Sequence, residues 1–160
     1  MKTRIILENG MELEGTSVGE INDTFCELVF DTSMAGYEEV LTNAKYKNRG
    51  VVMTYPTIGN YGITDDCKNS NVELNCLIVN EFAREGSNFR KKQDIIPYLK
   101  EKKVAAVYGV DTRMLTKIIR DNKKVYGLIT NNEYSIKEGL EKIDEYRMEV
   151  ILQKCLETVK

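Results

Sequence analysis

Four cysteines and no histidine frame the chemistry open to this 160-residue chain. Histidine is the usual general base near neutral pH. Its absence removes every Cys–His, Ser–His and His–metal arrangement that could be built within the chain. Cys26, Cys67, Cys76 and Cys155 are scattered, with no C-x-x-C pair. A zinc site prefers clustered Cys or His ligands, so no metal and no cofactor are expected. A nucleophilic cysteine on a strand-to-helix elbow needs small neighbours, because a bulky one clashes in the strained turn. None of the four has glycine two residues before or after it, and in a reducing compartment they read as free thiols. What remains is polar recognition. Asp111-Thr112-Arg113 offers a guanidinium that can hold an anion bidentately, and reads equally well as a helix N-cap followed by a solvated arginine. Ser87-Asn88-Phe89-Arg90 reads as local turn chemistry or as a contact with a partner chain. The run Thr57-Ile58-Gly59-Asn60-Tyr61-Gly62 has the small residues that let a backbone approach a partner closely, or simply turn at positive φ. The lysines at 91, 92, 100, 102 and 103 read as a solvated helix face.

The elements that must position these residues follow from periodicity. Lys2 to Leu7 and Met11 to Ser17 read as strands joined by Asn9-Gly10, a pair suited to a type I′ turn. Thr24 to Phe30, Gly50 to Tyr55, Cys76 to Val79, Val104 to Tyr108 and Lys124 to Thr130 read as further strands. Residues 57 to 73 read as a long loop. Ser33 is a candidate cap for a short helix through Tyr37, Val40 and Leu41. Asp94 to Lys103 reads as a helix with Pro97 in its first turn. Asp111 or Thr112 caps a helix with Met114, Leu115, Ile118 and Ile119 on one face. Ser135 and Glu138 form a capping box for a last helix with Ile136, Leu140 and Ile143 as its stripe. Early hairpins followed by alternating helices and strands predict an α/β domain of layered sheets with helices against one face.

Composition sets the outer limits. The length suits one domain, able to bury about two-thirds of its unfolded surface. Hydrophobic residues at 42% and charged residues at 30% describe an ordinary globular chain. A net charge of −2 argues against nucleic acid, whose partners are basic. The longest amino-terminal apolar run, Ile5-Ile6-Leu7, is too short for a signal peptide or a membrane span. No membrane partner is expected, and a cytoplasmic location is the default.

The block from Phe30 to Thr42, read F-D-T-S-M-A-G-Y-E-E-V-L-T, and the block from Thr54 to Gly62, read T-Y-P-T-I-G-N-Y-G, carry a resemblance. They are similar to F-N-T-S-M-T-G-Y-Q-E-I-L-T and T-Y-P-x-I-G-N-Y-G of the small, glutamine-hydrolysing subunit of carbamoyl phosphate synthetase. Ser87-Asn88-Phe89-Arg90 resembles that family's S-N-[FW]-R, and Gly109 to Thr116 its G-I-D-T-R-x-L-T. The order is the same, and the resemblance covers about residues 1 to 130. It implies the swivelling β/β/α three-layer fold of the family's amino-terminal domain over residues 1–134, followed by a helical segment over 135–160. It also implies that the glutaminase domain, with its Cys-His-Glu triad, is absent. Asn60, Tyr61, Gly62, Ser87, Asn88, Arg90, Asp111, Thr112 and Arg113 become interface or structural positions.

Lys45 departs from the pattern. In Leu41-Thr42-Asn43-Ala44-Lys45-Tyr46 it occupies the place of the serine in L-T-D-P-S-Y, which the family uses to bind glutamine. An ammonium only donates, is larger than a hydroxyl and carries charge, so it crowds a small amino-acid pocket; the alternative is a surface lysine on a drifted loop. The tail departs too. Met148, Ile151, Leu152, Cys155, Leu156 and Val159 recur at helical spacing, which reads as a packed native terminus rather than a linker. The resemblance implies a docking or scaffold domain that joins the synthetase large subunit to a glutaminase. The enzyme makes carbamoyl phosphate from glutamine, bicarbonate and ATP for arginine and pyrimidine synthesis, and the glutaminase here could be a separate chain. The alternative is a stand-alone, non-enzymatic paralogue that binds or regulates the large subunit. A phosphocarrier is disfavoured, since histidine is the residue such domains usually phosphorylate.

Overall fold

The computed structural model describes residues 1–19, 21–32, 37–58, 63, 71–83 and 94–159. Nine strands follow in order: Lys2–Leu7 (β1), Glu12–Ser17 (β2), Thr24–Asp31 (β3), Arg49–Met53 (β4), Thr57–Ile58 (β5), Cys76–Ile78 (β6), Glu81–Phe82 (β7), Ala105–Tyr108 (β8) and Val125–Thr130 (β9). Among the described residues the helices are Tyr37–Thr42 (α1), Ile95–Glu101 (α2), Thr112–Asn122 (α3) and Ile136–Val159 (α4), with a 3-10 turn at Ala44–Tyr46. The chain is therefore a mixed α/β domain. The expected cap of α1, Ser33, lies outside the described residues, as do Cys67 and most of the segment read as a long loop.

Seven strands close into a barrel in the order β1, β2, β8, β6, β4, β3, β9. β3, β4, β6 and β8 run parallel, while β9, β1 and β2 pair antiparallel. The two half-sheets join at both edges, through β2–β8 and β3–β9. β5 and β7 make a separate parallel ladder, Ile58 opposite Phe82.

The side-chain alternation of β4 shows how the core divides. Val52 points into the barrel with Cys26, Leu28, Ile78 and Val107. Val51 and Met53 face outward into a second cluster with Val40 and Leu41 of α1 and Tyr98 and Leu99 of α2. A third cluster sets Ile143 of α4 on Ile6, Tyr126 and Leu128. Helices thus cover both halves of the barrel, not one face as the element order suggested. α4 can lie close because of Gly139, where a Cβ would sit 2.7 Å from Ile6 Cδ1. That approach offsets a helix-propensity cost of about 1 kcal/mol.

Two local readings change. The amino-terminal hairpin does not use a type I′ turn, because only Gly10 has positive φ, at 88°. The Gly10 N–H donates to the Leu7 carbonyl and the Leu7 N–H to the Met11 carbonyl, both at 2.9 Å. Glu8 to Gly10 therefore form a three-residue loop with glycine in the left-handed position. Asn9 keeps an ordinary backbone and accepts the Met11 N–H at 3.0 Å through Oδ1. Met114, expected inward, is 38% exposed, one step of about 100° round the helix from the buried Leu115.

The carboxy-terminal helix forms as predicted, with the capping box in place: Ser135 N–H to Glu138 Oε2 at 2.9 Å and Glu138 N–H to Ser135 Oγ at 3.1 Å. Its outer stripe is not buried on the domain. Met148, Ile151, Leu152 and Leu156 are 50–65% exposed. At about 100° per residue, Gly139, Ile143, Tyr146 and Val150 share the face on the barrel, and Met148, Leu152 and Cys155 fall on the opposite one. α4 has two apolar faces, and only one of them is covered by the barrel. Ile143→Ala should therefore lower unfolding stability by about 2–5 kcal/mol, while Leu152→Lys should leave the isolated chain within about 0.5 kcal/mol. Urea titration of both variants distinguishes the faces; equal losses would contradict this packing.

The segment between β9 and α4 is fastened by Asp23, which accepts from Thr130 Oγ1 (2.6 Å), Tyr134 Oη (2.7 Å) and Asn132 Nδ2 (3.0 Å). Burial pushes this carboxyl up, and the three hydrogen bonds outweigh it, leaving the group below its usual range. A depressed acid stabilises the fold above its unfolded pKa of about 3.9 and loses that contribution as pH falls. Asp23→Asn should melt lower than the wild type at neutral pH, and the difference should close in strong acid. Melting curves across pH test this; a gap that persists unchanged at low pH would show that charge is not the cause.

Candidate functional site

The carboxyl ends of the parallel strands converge on one side of the barrel, where open α/β sheets place their binding crevices. Backbone hydrogen bonds stitch these ends together. The Thr54 N–H donates to the Asp31 carbonyl at 3.0 Å, Glu81 to Pro56 at 3.1 Å and Gly109 to Asn80 at 2.8 Å. A cleft of about 490 Å³ opens there, lined by Thr54, Pro56, Asn80, Gly109, Asp111 and Arg113 among others. Thr54, Asp111 and Arg113 also line an adjoining groove of about 510 Å³ that runs along α3. Sequence-distant motifs therefore meet: Thr54-Tyr55-Pro56 at the end of β4, and Gly109 to Arg113 between β8 and α3.

Asp111 is the N-cap of α3, its Oδ1 accepting the Met114 N–H at 3.1 Å. Thr112 is buried as the first helical residue, and Arg113 is exposed at the mouth of the cleft. The capping reading of Asp111 holds, and it leaves Arg113 free to face solvent. Asn60, Tyr61, Gly62, Ser87, Asn88 and Arg90 lie outside the described residues.

Lys45 sits elsewhere. It is exposed in the 3-10 turn after α1, its backbone N–H held by Asn43 Oδ1 at 3.0 Å and its ammonium 4.8 Å from the centre of the Tyr46 ring. The Tyr46 hydroxyl donates to Asp31 Oδ2 at 2.5 Å. Burial, and then the carboxylate beside it, push that phenol up to about 12. Asp31 is thus bonded on one side to the turn carrying Lys45 and on the other to Thr54. None of the clefts described along α3 includes Lys45 itself.

Neither cysteine of the barrel offers a nucleophile. Cys26 and Cys76 are fully buried inside the barrel. Burial pushes the Cys26 thiol up to about 12 and the Cys76 thiol well above its ordinary value, so neither presents a thiolate. Among the described residues no group of three or more His, Cys, Asp or Glu side chains could hold a metal ion. No described helix is long and apolar enough to cross a membrane. Sequence reasoning passed over Lys117 and Arg120, which line the groove with Arg113. Their spacing on α3, four and seven residues on, was the available signal.

Comparison with known proteins matches most of the chain. The family model described as carbamoyl-phosphate synthase small chain, CPSase domain, matches residues 5–129. The carbamoyl phosphate synthase small chain of Aquifex aeolicus is 44% identical over 146 residues, covering 90% of this chain and 39% of that protein. The corresponding chain of Clostridium perfringens is 39% identical over 147 residues, 91% of this chain and 42% of its own length. The carbamoyl phosphate synthase pyrimidine-specific small chain of Bacillus subtilis is 37% identical over 146 residues, with 91% and 40% covered. The chain spans about two fifths of the length of these curated relatives. Among solved structures, an aminopeptidase from Aneurinibacillus sp. strain AM-1 aligns over 81% of this chain and 29% of its own, at 14% identity and a TM-score of 0.45, a likeness too weak to carry an argument.

Proposed function

The chain belongs to the carbamoyl-phosphate synthase small-chain family, and on that premise we propose that it is a docking domain of glutamine-hydrolysing carbamoyl phosphate synthetase, supplying interface and no catalytic group. The observation that carries this reading is the family match across residues 5–129. The gathering of Thr54, Asp111 and Arg113 around one cleft and the lack of histidine support it. The fold is read as the family's swivelling β/β/α domain, a reading supported by a parallel and an antiparallel half-sheet with α1 and α2 packed on the former. The partner is the synthetase large subunit, with a glutaminase, on a separate chain or the same one, as the third component. Calorimetric titration with the large subunit from the same organism should give saturable binding. No heat and no complex at tens of micromolar, about −6 kcal/mol, would count against it.

A second reading, a non-enzymatic paralogue that regulates the large subunit, is favoured by Lys45. An ammonium in the position of the family's glutamine-binding serine opposes the substrate's own α-ammonium. With a glutaminase half supplied in trans, Lys45→Ser should lower the KM for glutamine, by about tenfold if one hydrogen-bonded contact of about 1.4 kcal/mol is restored. An unchanged KM would leave Lys45 as a surface residue parked on Tyr46.

A further inference from the structure

Arg113, Lys117 and Arg120 fall at i, i+4 and i+7 on α3 and so line one face of the helix. At 1.5 Å per residue the ridge extends about 10 Å. From Thr112 to Lys124 the chain carries Arg113, Lys117, Arg120, Lys123 and Lys124 against Asp121 alone, on a molecule of net charge −2. The positive face is therefore a local feature. Among the described residues Arg113 and Lys117 have no carboxylate partner, and Arg120 reaches only its neighbour Asp121, at 3.6 Å with both side chains more than half exposed. The groove beneath is lined by Thr54, Met114 and Thr116 together with the three cations and Asp111, whose carboxylate is engaged as the N-cap by the Met114 N–H. Thr116 Oγ1 is buried with no hydrogen-bond partner, so it is closed to a partner seated in the groove. Met114 stands 38% exposed beside it. Three separated cations and an exposed apolar side chain together ask for acceptors repeated along a length, with an apolar residue among them.

We propose that this ridge docks an acidic helical segment of the partner protein, one carrying carboxylates a turn apart and an apolar residue that meets Met114. The inference rests on the docking reading and names the chemistry of the surface that engages. A single small anion cannot span the ridge. Nucleic acid brings a long run of phosphates, and its partners are basic overall, whereas this chain has a net charge of −2. A carboxylate segment fits the charge.

The test uses the full chain and the triple variant Arg113→Glu, Lys117→Glu, Arg120→Glu. All three side chains are exposed, so the variant keeps its fold, which melting curves check. The large subunit should bind the variant at least about 100-fold more weakly than the wild type. Wild-type affinity should fall steeply between about 50 and 300 mM salt, and that dependence should flatten in the variant. Equal affinities and equal salt dependence, with the wild type bound, would overturn the ridge while leaving the docking reading intact. A second measurement stands apart from the large subunit: a helical peptide with glutamate at every fourth position, titrated against the labelled chain and followed by amide chemical shifts. Shifts confined to α3 and lost in the variant support the ridge even if the large subunit does not bind, in which case the docking reading alone fails. No α3 shifts at millimolar peptide overturn the ridge.

Discussion

Everything in this molecule hangs on β9 pairing with two strands at once. All six of its residues are buried. On one side Ile129 lies opposite Ile5 and on the other opposite Thr24. Remove that strand and β1 and β3 both become exposed edges, with the β1–β2 hairpin held to the sheet only through β8 at Thr16 and Ser17. A barrel has no partly closed state of comparable stability, because its interior cluster draws on every side: Ile5 from β1, Leu28 from β3, Val107 from β8 and Ile129 from β9. The hydrogen-bonded Asp23 at the end of β9 and the capping box after it matter because they hold the chain as it leaves that strand.

Closure also sets the geometry of the candidate site. The parallel strands must end together for their carboxyl ends to form one rim, and the register does this: Asp31 pairs with Met53 and Ile78 with both Val52 and Val107. The chain then leaves the rim through Thr54, Asn80 and Gly109. Asp111 starts α3 two residues later, so the helix N-terminus and the cations that follow it are aimed by the barrel and anchored by Leu115 and Ile119 beneath. Recognition side chains on a helix held this way are pre-ordered, which lowers what binding must spend on fixing them.

Strand positions were legible because burial on one or both faces writes itself as alternation or as an apolar run. Cys76 to Val79 and Lys124 to Thr130, each read one residue longer than the strand that forms, needed nothing more. β4 was read two residues too long, since Thr54 and Tyr55 continue the β-prone pattern although β3 stops pairing opposite Met53. Closure itself was not legible: alternation says which face is buried and not which strand lies alongside, and the β1–β9 pairing joins residues some 125 positions apart. β5 and β7, two residues each, are too short to carry a period. Of the candidate site, Asp111 was readable as a cap because its chemistry is local. Lys117 and Arg120 were not singled out, because exposed cations at helical spacing are also what any solvated helix shows. The outer face of α4 was readable as a stripe but not as the wrong side of the helix, since the inner stripe before it shifts phase.

A closed barrel carries a further consequence for how this domain can be recognised. Many proteins are captured by strand addition, in which a partner's backbone extends an open sheet edge and reads little of its sequence. Here the seven barrel strands have spent both of their ladders on one another, and the remaining ladder is two residues long. The open edge left in the described barrel is short, as along β2 ahead of Thr16 where β8 does not pair, so a partner reads side chains more than backbone. Such an interface can drift in evolution by single surface substitutions without disturbing the fold beneath. A subunit descended from a shared ancestor could change its partners this way, residue by residue, while its barrel stayed the same.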